Sequence, residues 1–320
     1  MSKTTCYFYL ALFVISGLPV SAQAQSMSGP VQKAVLVTGA SSGIGRKIAE
    51  RLAAEGYFVY AGARKDQDLA ELGQIENMKS VRLDVTVQEQ IDAAVETIRS
   101  EGRGLHGLVN NAGVGVIAPL IEMSEQDLKF QFDVNVYGPY RITKAFAPLL
   151  LEAKGRITTI GSISGVLSGR LFGAYSMSKH AIEAYTDSLA RELEQFDVQV
   201  SVIEPGNYKS RFFQTLLQRM EEFGYTPDGS LYEDEMLRLM GSDSDDWGTP
   251  PDAVADAVLH ALFDANPQRR YMVVPNQRQA EITIRKLIEE TVQMNEGHRY
   301  SYDRDQLVAM LDEALAAQRQ

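Results

Sequence analysis

With 320 residues, 45% of them hydrophobic and 23% charged, the chain has the composition of an ordinary globular protein, which excludes disorder as its dominant state. Its formal charge of −11 argues against a nucleic-acid partner, because phosphate backbones are met by basic surfaces. The four histidines (His106, His180, His260, His298) are scattered and the only cysteine is Cys6, so no Cys/His cluster has metal-ligand spacing and no metal is expected.

In chain order, the first feature is Lys3, an apolar stretch from Cys6 to Val20, and the small-residue run Ser21-Ala22-Gln23-Ala24. These are the parts of a secretory signal peptide over residues 1–24, which would make the protein exported or periplasmic. The apolar part is short for a spanning helix, which needs about 20 residues. An uncleaved anchor, associating with a membrane through residues 6–20, is the second reading. Initiation at Met27, giving a cytoplasmic protein, is the third. Sequencing the N-terminus of the native protein distinguishes all three.

From Lys33 onward, short β-branched runs alternate with helical periods. Strands are predicted at 34–40, 57–64, 80–86, 107–113, 155–162, 198–206 and 269–275, and helices include 45–56, 89–102, 277–296 and 303–318. In the first helix Ile48, Leu52 and Ala53 share a face. The strands read as nearly continuous apolar runs, as expected when both sheet faces are covered. Strands separated by helices predict an α/β fold: one Rossmann-type, doubly wound parallel sheet with helices on both faces. A single domain is expected over 33–320. It includes a helical substrate flap after the sixth strand (206–250) and C-terminal helices (277–320).

The run TGASSGIG (38–45) follows the first strand and opens a helix. Glycines at 39, 43 and 45 permit a tight turn and a close backbone approach, and the helix N-terminus beyond them offers N–H groups to a pyrophosphate. The bland reading is a glycine-rich turn that binds nothing. At the end of the second strand stands Ala63-Arg64-Lys65, with no acid before Asp66. An acid there suits the ribose 2′-hydroxyl of NAD, whereas a guanidinium suits a 2′-phosphate, so NADP(H) is expected over NAD(H). Otherwise Arg64 and Lys65 are merely solvated charges.

TGASSGIG, NNAG (110–113), Asn135 in FDVNVYG, Ser162 in TTIGSISG, Tyr175 and Lys179 in YSMSK, and Pro205-Gly206 together resemble the short-chain dehydrogenase/reductase family. The resemblance is to its compact T-G-x-x-x-G-x-G subgroup and covers about residues 33–275. It implies an oxidoreductase that interconverts a primary or secondary alcohol and its aldehyde or ketone. It assigns cofactor contacts to Thr38, Gly39, Ser41, Ser42, Gly43, Ile44, Gly45, Arg64, Asp84, Val85, Asn111, Ala112, Gly113, Tyr175, Lys179, Pro205 and Gly206, with Asn110 beside the adenine. It makes Tyr175 the proton donor or acceptor, Ser162 a hydrogen-bond partner of the reacting oxygen, and Asn135 the holder of a relay water. Lys179, which also holds the ribose, stands one turn beyond Tyr175. Its ammonium should lower the phenol below the ordinary value of about 10. Gly161 stands where many relatives have a second serine.

Beyond residue 206, Tyr208, Phe212, Phe213, Phe223, Tyr225 and Trp247 suggest an apolar pocket for a bulky alcohol, or simply flap packing. EPGNYKSRF and RRYMVVP resemble the hydroxysteroid and retinol dehydrogenase branch, which raises the expectation of a lipophilic small-molecule substrate. A homo-oligomer is also implied by the resemblance. A catalytically silent dinucleotide-binding regulator is the alternative; the intact Ser-Tyr-Lys set counts against it. A sugar-nucleotide epimerase would have a different glycine spacing and a larger C-terminal domain.

Overall fold

Seven short, largely apolar runs form strands β1 (Ala34–Val37), β2 (Phe58–Ala63), β3 (Met78–Arg82), β4 (Gly107–Asn110), β5 (Arg156–Ile160), β6 (Gln199–Pro205) and β7 (Arg270–Val273) in the computed structural model. The structure describes residues 32–241 and 248–317; the expected signal peptide or anchor, and Trp247, lie outside the described residues. The helices are α1 (Gly43–Ala54), α2 (Asp66–Leu72), α3 (Gln88–Ser100), α4 (Glu125–Phe132), α5 (Gly138–Ala153), α6 (Gly173–Leu193), α7 (Phe212–Glu222), α8 (Glu233–Met240), α9 (Asp252–Phe263), α10 (Gln277–Asn295) and α11 (Arg304–Ala317). Among the described residues no helix is long and apolar enough to cross a membrane.

The strands form one sheet in the order β3-β2-β1-β4-β5-β6-β7, and every pairing is parallel. Val35 pairs with Val59 of β2 on one side and Gly107 of β4 on the other. The chain therefore leaves β1 in one direction and later returns to its opposite edge. This reversal opens a crevice at the carboxyl ends of β1 and β4, the place where open α/β sheets bind ligands.

Side-chain alternation along β1 feeds two cores. Val35 and Val37 join Ile48, Leu52 and Ala53 of α1 and Val254 and Val258 of α9 on one face. Ala34 and Leu36 join Ile91 of α3 and Ile142 and Phe146 of α5 on the other. The face of α1 read from its spacing is thus the buried one, and each full Ile or Leu burial contributes about 1.5–3 kcal/mol. A third, smaller cluster belongs to the flap: Phe213, Leu216 and Met220 of α7 and Met236 of α8 pack with Ile117 and Leu171.

Every strand is shorter than expected or shifted, β4 for example ending at Asn110 rather than residue 113, and in two the cause is visible. β1 stops at Val37 rather than Ala40 because Gly39 takes the left-handed conformation (φ 65°) and turns the chain. β3 lies at 78–82 rather than 80–86. Asn77, also left-handed (φ 59°), ends the preceding turn and delivers the chain into the sheet two residues early.

Candidate active site

The glycine loop joins the carboxyl end of β1 to α1. A Cβ on Gly39 would stand 2.9 Å from the Ala112 Cα, so the loop and the segment after β4 touch backbone to backbone. Thr38 locks that contact: its Oγ1 accepts from the backbone N–H of Asn111 and of Ala112, both at 3.0 Å. Asn111 returns the tie by donating its side-chain amide to the carbonyls of Thr38 (2.9 Å) and Gly39 (3.1 Å). Ser42 enters α1 in an extended conformation with no side-chain cap, and the first turn holds no acid. The helix therefore presents N–H groups and a partial positive charge that no side chain of its own neutralises, a good fit for a phosphate anion. Gly43 needs its glycine for a positive φ of 56°. Ser41 lies in the same loop, while Ile44 leans onto the sheet core.

Farther along the edge, Asp84 accepts from the Thr86 N–H (2.9 Å) and hydroxyl (2.7 Å) and faces Arg64 at 3.5 Å. Burial works against the Asp84 carboxylate, but Thr86 and Arg64 outweigh it and hold the carboxyl below its usual range. Arg64 is 62% exposed, so the guanidinium stands at the rim. Val85 packs at Gly138, the start of α5. Asn110 donates to Thr143 (3.0 Å), and its Oδ1 is buried without a partner. Pro205 ends β6, and Gly206 is pinned by its N–H to the Val273 carbonyl (2.8 Å).

At the centre of the same edge, β5 runs into Gly161 and Ser162. Ser162 is buried; its Oγ accepts from the Ser164 N–H at 3.1 Å and is close enough to the Tyr175 hydroxyl to favour the phenolate. Tyr175 and Lys179 occupy successive turns of α6. The Lys179 ammonium donates to the Ile160 carbonyl at 2.8 Å and lies 5.6 Å from the centre of the Tyr175 ring. The other flank of that ring meets Phe212 of α7, with ring centres 5.3 Å apart. Asn135 lies in a wide π-helical turn, Asp133–Tyr137, between α4 and α5. Its Oδ1 accepts from the Val114 N–H (2.8 Å), and its amide donates to the Val114 carbonyl (2.9 Å) and to Ser178 Oγ (3.0 Å). Ser178 in turn donates to the Tyr175 carbonyl at 2.7 Å.

One expectation is reversed. The Tyr175 phenol is not lowered but pushed up to about 12, because burial disfavours the phenolate more than the Ser162 hydrogen bond favours it. Burial also draws Lys179 down to about 8, with the negative charge of Glu183 partly opposing it. The ammonium is engaged with the Ile160 carbonyl and does not offset the effect of burial on the phenol.

The flap aromatics divide. Phe212 reaches the site. Phe213 fills the flap core, Phe223 packs edge-on against Phe130, and the Tyr225 hydroxyl donates to Asp127. Tyr208 belongs to the sheet core, not to a pocket. Sequence reasoning missed Ser178 as the link between Asn135 and Tyr175. It also missed the acids Glu183 and Glu204 behind the serine loop, although an acid in the apolar run of β6 was a visible signal. Among the described residues no group of three or more His, Cys, Asp or Glu side chains could hold a metal.

The family model described as short chain dehydrogenase matches residues 33–221. The chain is 35% identical to D-beta-hydroxybutyrate dehydrogenase, mitochondrial, of Rattus norvegicus, over 84% of each chain. It is 32% identical to the Homo sapiens 17-beta-hydroxysteroid dehydrogenase type 6, over 83% of this chain and 88% of that one. Its fold is similar to that of a Burkholderia phymatum short chain dehydrogenase/reductase solved in complex with NAD (TM-score 0.69, 25% identity, 85% of this chain and 98% of that chain).

Proposed function

The chain belongs to the short-chain dehydrogenase/reductase family of oxidoreductases, within its hydroxysteroid dehydrogenase-like branch, and on that premise we propose that it interconverts a lipophilic alcohol and its carbonyl compound with NADP(H). The observation that carries this reading is the cluster of Ser162, Tyr175 and Lys179 at the carboxyl edge of the sheet, with the Lys179 ammonium on the Ile160 carbonyl at 2.8 Å and 5.6 Å from the centre of the Tyr175 ring, beside a glycine loop whose helix N-terminus is uncapped.

When bound, the dinucleotide supplies or accepts the hydride. Thr38 through Gly45 and Asn111 through Gly113 would hold its phosphates and adjoining sugar. Tyr175, protonated at neutral pH, donates its proton to the substrate oxygen in the reductive direction and recovers it in the oxidative one. Ser162 donates a hydrogen bond to that oxygen and limits the charge that develops there. Lys179 keeps a positive charge beneath the phenol, and Asn135 fixes the Val114 segment and, through Ser178, the Tyr175 backbone. The rat and human relatives are named for a hydroxy acid and a hydroxysteroid, both secondary alcohols. A lipophilic substrate is supported by apolar side chains around the mouth: Phe212 against Tyr175, Leu216 against Gly115 and Leu120 against Gly173.

Preference for NADP(H) rests on Arg64, whose exposed guanidinium stands just past β2 with Asp84 at 3.5 Å, and on the run Ala63-Arg64-Lys65, which ends the strand without an acid for the ribose hydroxyl. The test is a panel of ketones and aldehydes, with NADPH and NADH compared by loss of absorbance. Wild type should favour NADPH, and Ala63→Asp combined with Arg64→Ala should shift the ratio toward NADH by at least about tenfold, the value of one charged hydrogen bond. An unchanged ratio overturns the cofactor preference; no turnover of any carbonyl favours the silent regulator. The proposal extends to a homo-oligomer, whose contact would use the exposed Tyr137 and Tyr140 of the α5 region and Met177 of α6; sedimentation velocity reads it.

A further inference from the structure

Helix α6 carries ionisable groups at every turn along one stripe: Tyr175, Lys179, Glu183 and Asp187. The first two face the reaction edge, and the third sits behind it. Glu183 packs onto both glycines that flank the serine loop. A Cβ on Gly161 would stand 3.0 Å from its Oε1, and a Cβ on Gly165 2.9 Å from the same atom. Gly161 therefore makes room for a carboxyl group directly behind Ser162.

That carboxyl is poorly satisfied. Glu183 Oε2 accepts from Arg270 Nη2 at 2.8 Å and Nε at 3.3 Å, but Oε1 is buried with no donor in reach. Its neighbour is a second carboxyl, Glu204, only 3% exposed near the end of β6, which accepts from the same Arg270 Nε at 2.6 Å. Asp187 touches Arg270 Nη2 from the rim at 3.4 Å, and Lys179, one turn before Glu183, is committed to Ile160. Two enclosed carboxyl groups thus share one guanidinium. A buried acceptor without a donor is costly, and two carboxylates side by side repel. One proton removes both penalties, because a protonated Glu204 is the donor that Glu183 lacks. Consistently, burial first and the Glu183 charge second push the Glu204 carboxyl up to about 7, against the pull of Arg270.

We propose that Glu183 and Glu204 hold one proton between them, and that this acid pair, braced by Arg270, is a positioning device for the loop that carries Ser162. The proposal rests on the reading of Ser162, Tyr175 and Lys179 as the reaction machinery. Losing the proton leaves two carboxylates against a single guanidinium. Their repulsion acts on Glu183, which stands against the backbone on either side of Ser162.

Two measurements on the full chain test this, with Glu204→Gln as an isosteric stand-in for the protonated acid and Gly161→Ala as a second variant that crowds Glu183. The first is melting temperature against pH. A carboxyl whose value is raised on folding adds stability that is complete below about 4.5 and is lost as pH rises through about 7. The melting temperature of wild type relative to Glu204→Gln should therefore fall across that window. A constant difference means no proton is shared and overturns the proposal, whatever the enzyme's substrate. The second is the pH profile of kcat on a turned-over carbonyl. Wild type should begin to lose activity near neutrality. Glu204→Gln should keep its rate until Lys179 titrates, about one pH unit higher, and Gly161→Ala should lose kcat at all pH values without a matching change in KM. Identical profiles for wild type and Glu204→Gln, alongside the shifted melting curve, would make the pair purely structural and overturn its positioning role. Failure of that reading of Ser162, Tyr175 and Lys179 would instead appear as no turnover in any variant, with the melting result unaffected.

Discussion

Replacing Tyr175 by phenylalanine should lower kcat/KM by about 10²–10⁴-fold, the range for loss of a positioned acid or base, with dinucleotide affinity and melting temperature nearly unchanged. The substitution removes one hydroxyl. The ring keeps its contact with Phe212, and the helix backbone keeps the Ser178 and Asn135 ties. Ser162 retains the Ser164 N–H and loses only its partner across the site. Comparable activity in the variant would refute Tyr175 as the proton carrier. The pH dependence follows from the two groups together. With the phenol pushed up to about 12 and Lys179 drawn down to about 8, the phenol is a neutral acid over the physiological range and Lys179 is the first of the two to lose its proton. Beyond the first loss near neutrality expected from the acid pair, carbonyl reduction should decline further above about pH 8 as the ammonium charge beneath the phenol disappears. Tyr175→Phe should lower the rate to that extent at every pH without moving the titration of Lys179, which can be followed by chemical shift.

The second large effect is expected at Gly45. An added methyl would overlap both the Asn111 side-chain amide and the Gly39 carbonyl, the two groups whose hydrogen bond ties the glycine loop to the segment after β4. The carbonyl is backbone and cannot swing away, so either the amide is expelled or α1 shifts. Gly45→Ala should destabilise by at least about 1–3 kcal/mol, the usual cost of overpacking. That is roughly 2–12 °C in melting temperature for a domain of this size. Dinucleotide affinity should fall more than tenfold, because the same shift deforms the loop proposed to hold the phosphates. Gly56→Ala is the control: its φ is 85°, but nothing lies within 4 Å of the added carbon, so it carries backbone strain alone and should spare affinity. Equal affinity losses in the two variants would refute the clash.

The parallel sheet and its ligand edge could be read from the chain because both follow from local rules: apolar runs separated by helices, and glycine where a turn demands a positive φ. The spacing of Tyr175 and Lys179 likewise places them on one helix stripe before any packing is known. What could not be read is anything decided by burial. The direction of the Tyr175 shift depends on how much water the fold removes from the phenol, and on Lys179 finding the Ile160 carbonyl, a residue 19 positions earlier in the chain. The aromatics after Gly206 look alike in sequence, yet Tyr208 enters the sheet core while Phe212 reaches the phenol. Their separation follows from where α7 lands, a tertiary matter that no local pattern encodes.

The wide turn at Asp133–Tyr137 also bears on how the chain can be altered. Just before it, Gln131 accepts from the Val116 N–H (2.7 Å) and donates to the Val114 carbonyl (2.9 Å); within it, Asn135 grips Val114 from both sides. The segment after β4 has no neighbouring strand there, and two side-chain amides take the place of one. A π turn contains one residue more than the α-helical pitch requires. Deleting a single residue here would restore a uniform helix and rotate α4 by about 100° relative to α5, the angle per residue of an α-helix. Gln131 and Asn135 could then no longer serve the same three-residue stretch. The extra residue works as a spacer that sets the phase between two rods, so this junction is a place where chain length, more than side-chain identity, is under constraint.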